Sequence, residues 1–211
     1  MGNMSRIAAA IVAAMAVTGL GVQFVVSCRE LGSVLQALWV LFAYFTITTN
    51  LLVALVFVAI ASGRTRLRDG WVVAGTILSI ALVGVIYGVL LHGMVELSGG
   101  SQLANVLNHM VTPILAPMYW VLFTPKGQLR WRDPGLWAIY PLAYFVYALS
   151  RAAATRAYPY PFMDVARYGA RQVTWNAAII AAGFLLCSFA VVFVDQRMGR
   201  HRSARHDLVP S

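Results

Sequence analysis

The chain has 211 residues, 60% of them apolar and only 11% charged, with a mean hydropathy of +0.74 and a formal net charge of +9. A soluble domain carries roughly 45–50% apolar and about 25% charged residues, so the polar surface needed to stay dissolved is missing. A disordered protein, a soluble enzyme and a secreted disulfide scaffold all fit this composition poorly, which leaves an integral membrane protein.

A spanning helix needs about 20 apolar residues. Six apolar runs predict an all-α, polytopic six-transmembrane-helix bundle, with helices over 7–26, 37–61, 72–91, 103–124, 135–150 and 175–194. A basic tail over 195–211, read as irregular and solvated, follows them. The first run comes after Arg6 as in a signal peptide, but it is longer than the roughly 7–15 residues of an ordinary h-region, so it reads as a retained helix. Cys28 ends the first run and Cys187 lies within the last; at such different depths they are not expected to pair, and neither has a metal-ligand spacing.

Fifteen of the sixteen cationic residues are Arg, set in short patches between the runs. That is the pattern of orienting loops, not of a nucleic-acid surface. Arg6, Arg64, Arg66, Arg68, Lys126, Arg130, Arg132 and the four tail arginines place eleven cations on one side and leave five on the other. Both termini are therefore expected in the cytoplasm. Lys126, the only lysine, falls in a loop, so no buried amine is available for a Schiff base.

Polar groups cost free energy in hydrocarbon, and two runs concentrate them. In the second, Thr46, Thr49 and Asn50 share a face; in the fourth, so do Asn105, Asn108, His109 and Thr112, ahead of Pro113 and Pro117. His109 is the only histidine within a predicted span. Counted along straight helices at 1.5 Å per residue, Thr46 and His109 lie about 14 Å and about 9 Å below the outer edge, close enough in depth to meet. Neutral imidazole can take the proton from a threonine hydroxyl and make it a nucleophile, and asparagine amides can hold the ring or donate to an oxyanion. The structural alternative is an interhelical hydrogen-bond clasp.

The long outer loop, 151–174, contains Tyr158-Pro159-Tyr160-Pro161-Phe162-Met163-Asp164. Prolines spaced by aromatics resist helix and strand alike. The segment reads either as a semi-rigid cap whose Tyr160, Phe162 and Asp164 contact a substrate, or as an interfacial aromatic belt. Asp164 is either a partner for His109 or a solvated loop carboxylate.

Three segments in this order resemble the androgen-induced-gene family of multi-spanning membrane proteins and its bacterial six-helix relatives. They are Phe45-Thr46 with Thr49-Asn50, Leu107-Asn108-His109 followed by prolines, and Tyr160-Pro161-Phe162-Met163-Asp164 with Gly169-Ala170-Arg171. The resemblance implies an intramembrane hydrolase of fatty acid esters of hydroxy fatty acids, with Thr46 as nucleophile and His109 as base. It further implies a membrane lipid as substrate, no cofactor, and a bacterial-type inner (plasma) membrane as location. The animal motif carries a second histidine near the catalytic one, where this chain has Met110-Val111.

Other chemistries are disfavoured by what is missing. One histidine with no intramembrane carboxylate beside it gives too few ligands for a metal. There is no Gly-x-Ser-Gly of a rhomboid-type protease and no His-Glu-x-x-His of a zinc protease. The rival readings are a non-catalytic protein that binds a lipid or apolar ligand, and a small transporter or accessory subunit. Against the transporter, no charge lies well inside a span and no internal repeat is visible.

Overall fold

A computed structural model describes residues 2–63, 69–94 and 96–206, with side chains through 200. Helix makes up 84% and there is no strand among the described residues, so the fold is all-α. The basic loop with Arg64, Arg66 and Arg68 and the tail residues 207–211 lie outside the described residues.

Among the described residues, four helices are long and apolar enough to cross a membrane: Asn3–Leu31, Gly70–Leu91, Gly99–Phe123 and Val165–Arg200. A bent pair, Val34–Leu41 with Phe45–Ala61, makes a fifth if it counts as one span. The helix of the fifth apolar run, Asp133–Thr155, forms where expected but falls outside that group.

The chain divides into two compact units, Met1–Thr124 and Pro125–Ser211. The first holds α1 (Asn3–Leu31), α2 (Val34–Leu41), α3 (Phe45–Ala61), α4 (Gly70–Ile86), α5 (Gly99–Val106) and α6 (Thr112–Phe123). Lipid tails are as apolar as leucine, so close packing and hydrogen bonds hold such helices together rather than expulsion of water. Small residues accordingly line α1, where Ala9, Ala13, Ala16 and Gly19 are buried. Arg6 Nε donates to the Ala61 carbonyl at 2.9 Å, so the start of α1 caps the end of α3. Phe57 of α3 meets Tyr119 of α6 edge to face, 5.0 Å between ring centroids. Leu55, Val58, Val85, Ile114 and Leu122 are exposed, an apolar outer surface suited to lipid rather than water.

The expected single helix over 37–61 is corrected to α2 and α3, which meet at 93°. Residues 42–44 contain neither Gly nor Pro. Instead, the Ala43 and Tyr44 amides close tight turns onto Val40 and Leu41, each at 3.0 Å, and extended Tyr44 restarts the helix. Packing favours this elbow: α3 buries Phe45, Thr46, Thr49 and Asn50 within its first two turns. Thr46 therefore sits in the first turn of a new helix, and its depth cannot be counted along a straight one from residue 37.

The second unit holds α7 (Asp133–Thr155), a 3-10 turn at Pro161–Met163, and α8 (Val165–His206), which kinks at Gly169 (φ 76°). Two expectations are corrected here. The outer loop shrinks from 151–174 to 156–164, because its flanks continue α7 and α8 and only the Pro-rich centre resists helix. The tail through His206 is helical; Arg, Gln, Met and Ala, which favour helix, make up more than half of residues 195–206, and no proline comes before Pro210. Asp195, buried near the end of α8, accepts the Gly127 and Leu129 amides through Oδ2, both at 2.9 Å.

Candidate functional site

Two π-helical turns build the site in the first unit. One, Tyr87–Leu91, ends α4; the other, Leu107–Val111, joins α5 to α6 and carries Asn108 and His109. A π-turn widens the helix by one residue and is frequent at functional sites. The second lies just before a proline. The Thr112 amide bonds to the Leu107 carbonyl, five residues back. The same register would pair Asn108 with residue 113, which is proline and has no N–H. The Asn50 side chain supplies that donor from α3: its Nδ2 lies 3.1 Å from the Asn108 carbonyl and 2.9 Å from the Thr46 carbonyl.

Thr46 and His109, sixty-three residues apart, are brought together. Thr46 Oγ1 lies 3.2 Å from His109 Nε2. The other ring nitrogen, Nδ1, lies 3.2 Å from the Asn105 carbonyl. A carbonyl only accepts, so in the neutral ring Nδ1 carries the proton and Nε2 presents its lone pair to the threonine hydroxyl. A hydroxyl, an imidazole and a carbonyl thus stand in sequence at hydrogen-bond distances. Thr46 is buried, and His109 and Asn105 are partly exposed.

Asn50 and Asn108, expected as supporting or oxyanion groups, are both fully buried at the α3–π-turn contact. Both hydrogens of the Asn50 amide have carbonyl partners, so Asn50 ties together the backbones of the two elements that carry Thr46 and His109. The Asn108 side chain presses on Gly19 of α1, where a Cβ would run into its amide. Asn105 contributes its carbonyl to the ring and its side chain to Tyr87.

Sequence reasoning missed Tyr87. Its ring stacks on that of His109, with centroids 4.6 Å apart and planes 28° apart. A signal was present: Tyr87 is the only tyrosine in the third apolar run, at the same end as His92.

Tyr160, Phe162 and Asp164 belong to the second unit. Tyr160 and Phe162 stack at 5.3 Å, and Asn176 holds the Phe162 carbonyl at 2.9 Å. Asp164 caps α8, its Oδ1 accepting the Arg167 amide at 3.0 Å.

Beside the α2–α3 elbow lies an open apolar groove of about 380 Å³, lined among others by Val17, Leu20, Phe24, Leu41, Phe42 and Leu51. No group of three His, Cys, Asp or Glu side chains that could hold a metal ion occurs among the described residues. No family model, no curated protein and no solved structure matches this chain.

Proposed function

We propose that the protein is an intramembrane hydrolase of lipid esters, of the kind that joins a fatty acid to a hydroxy fatty acid. The observation that carries this reading is the Thr46–His109 contact at 3.2 Å, with the far side of the ring pinned to the Asn105 carbonyl. Thr46 Oγ attacks the ester carbonyl while His109 Nε2 takes its proton. The tetrahedral intermediate expels the alcohol, which leaves with that proton. Water, deprotonated by His109, then attacks the acyl-threonine; the acid departs and the hydroxyl is restored. The Asn105 carbonyl, facing Nδ1–H, favours the imidazolium formed in each half. Thr46 lies in the first turn of α3, whose positive dipole end favours negative charge developing there. The Asp164 carboxylate already caps a helix, so the chemistry is assigned to residues of the first unit alone.

The same proposal includes six spans with both termini in the cytoplasm of a bacterial-type plasma membrane, α7 being the sixth. The distribution of Arg and Lys supports that orientation. One further observation favours a second reading, a lipid-binding protein without turnover: the apolar groove at the elbow, whose volume falls within the roughly 300–1,000 Å³ usual for ligand pockets.

The deciding experiment offers purified protein branched and simple lipid esters, with Thr46→Ala and His109→Ala alongside. Hydrolysis should fall at least about 10³-fold in each variant, as for a nucleophile and its base. Turnover by Thr46→Ala at the wild-type rate would refute the enzyme reading. Binding of the esters without cleavage by the wild type would favour the second.

A further inference from the structure

We infer that Tyr87 is a positioning residue that fixes both the orientation and the tautomer of His109. Two contacts converge on it, and a third links its partner to the histidine. Its ring covers one face of the imidazole at 4.6 Å, which limits rotation of the ring away from Thr46. Its hydroxyl oxygen accepts the Asn105 side-chain amide at 2.6 Å. The carbonyl of that same Asn105 faces His109 Nδ1 at 3.2 Å. One tyrosine therefore holds the histidine directly and also anchors the residue that selects its protonated nitrogen.

The hydroxyl proton has its own acceptor. His92 Nδ1 lies 3.3 Å from the Tyr87 oxygen, and its ring meets the Tyr87 ring edge to face at 5.6 Å. With the Asn105 amide donating to the phenol oxygen, the phenol O–H is left to donate to His92. The chain of contacts runs from exposed His92 through Tyr87 and Asn105 to half-buried His109. The π-turn at Tyr87–Leu91 belongs to this arrangement: the His92 amide bonds to the Tyr87 carbonyl at 2.8 Å, five residues back. Gly84, one turn earlier on α4, allows the close approach of Pro113 just beyond the histidine turn, where a Cβ would come within 2.8 Å of the proline ring.

A group fixed in this way keeps the basic nitrogen aimed at the hydroxyl, and misplacement of a base by about 1 Å can cost about 10²-fold in rate. The kinetic consequence rests on the hydrolase reading, whereas the effect on the tautomer does not. The test uses the full chain in lipid nanodiscs with ¹⁵N-labelled histidine, the His109 signals being assigned by their loss in His109→Gln. Wild type should show a single His109 tautomer with the proton on Nδ1. Tyr87→Leu, which removes ring and hydroxyl, should give a mixture of tautomers and lower kcat roughly ten- to hundredfold with KM little changed. Tyr87→Phe, which keeps the stack, should restore part of both. Tyr87→Phe and Asn105→Ala break the same hydrogen bond, so their combined effect on the tautomer ratio should be no greater than either alone. If Tyr87→Leu does not fold, Tyr87→Phe and Asn105→Ala carry the test. A wild-type tautomer ratio in every Tyr87 and Asn105 variant that folds would overturn the inference. So would independent, additive effects of Tyr87→Phe and Asn105→Ala. If the wild type cleaves no ester but the tautomer ratio shifts as stated, the hydrolase reading fails and the positioning role stands.

Discussion

The Asn50 amide reaches the Asn108 carbonyl at 3.1 Å and replaces the donor that Pro113 removes from the π-turn. It also holds the Thr46 carbonyl at 2.9 Å, so a single side chain joins the turn bearing the hydroxyl to the turn bearing the imidazole. Asn50→Ala leaves the buried Asn108 carbonyl short of a donor, while the Thr46 carbonyl keeps its backbone partner in α3, at a cost of about 1–3 kcal/mol. Asn50→Asp presents acceptors to those same carbonyls and should cost at least as much. Thermal unfolding in detergent measures both losses; an Asn50→Ala protein as stable as wild type would contradict this account.

Gly19 admits the Asn108 side chain against α1. Gly19→Ala should overpack that contact and destabilise the first unit by about 1–3 kcal/mol. Gly21→Ala, two residues further on with nothing within 4 Å of its added Cβ, is the control and should be neutral or slightly stabilising. The two unfolding midpoints, compared directly, decide the point; equal midpoints would contradict it.

Thr46→Val keeps the shape of the side chain and removes only the hydroxyl. Labelling by a fluorophosphonate probe at this position should disappear in Thr46→Val and persist in Thr46→Ser. Mass spectrometry of the labelled peptide checks this. Modification of wild type and Thr46→Val to the same extent would place the reactive group elsewhere.

Asp195 is 1% exposed and receives two backbone amides of the 125–132 segment on one oxygen. Hydrogen bonds to a charged acceptor contribute about 1.5–3 kcal/mol each, so Asp195→Ala should free that segment. Hydrogen exchange at the Gly127 and Leu129 amides should accelerate by at least about tenfold, one decade being about 1.4 kcal/mol. Asp195→Asn keeps an acceptor oxygen and should exchange at an intermediate rate. Unchanged protection in Asp195→Ala would show that the carboxylate does not secure the loop.

Orientation is open to chemical labelling. In a background with Cys28 and Cys187 replaced by Ala, Glu96→Cys should react with an impermeant maleimide on intact cells. Gln128→Cys should react only after permeabilisation. The reverse pattern would invert the proposed topology.

The helices at 3–31, 70–91 and 99–123 were legible because twenty or so apolar residues in a row have few other solutions. Thr46, His109 and their asparagines were legible for the complementary reason, as polar groups set in apolar runs at helical spacing. The elbow at residues 42–44 was not legible: it has no proline or glycine, and it arises where buried residues of α3 pack against their neighbours. The role of Tyr87 escaped notice because an aromatic near the end of an apolar run looks the same whether it faces lipid or a histidine.

By itself, the amino-acid sequence determined that this protein is helical and apolar on its outside, and which few polar groups its spans carry. Those properties follow from local composition and period, which need no knowledge of neighbours. Tertiary structure alone decided that Thr46 meets His109 and that Asn50 completes a turn broken by proline. Each is a contact between segments far apart in the chain, governed by packing distances of a few ångströms that no run of residues encodes locally.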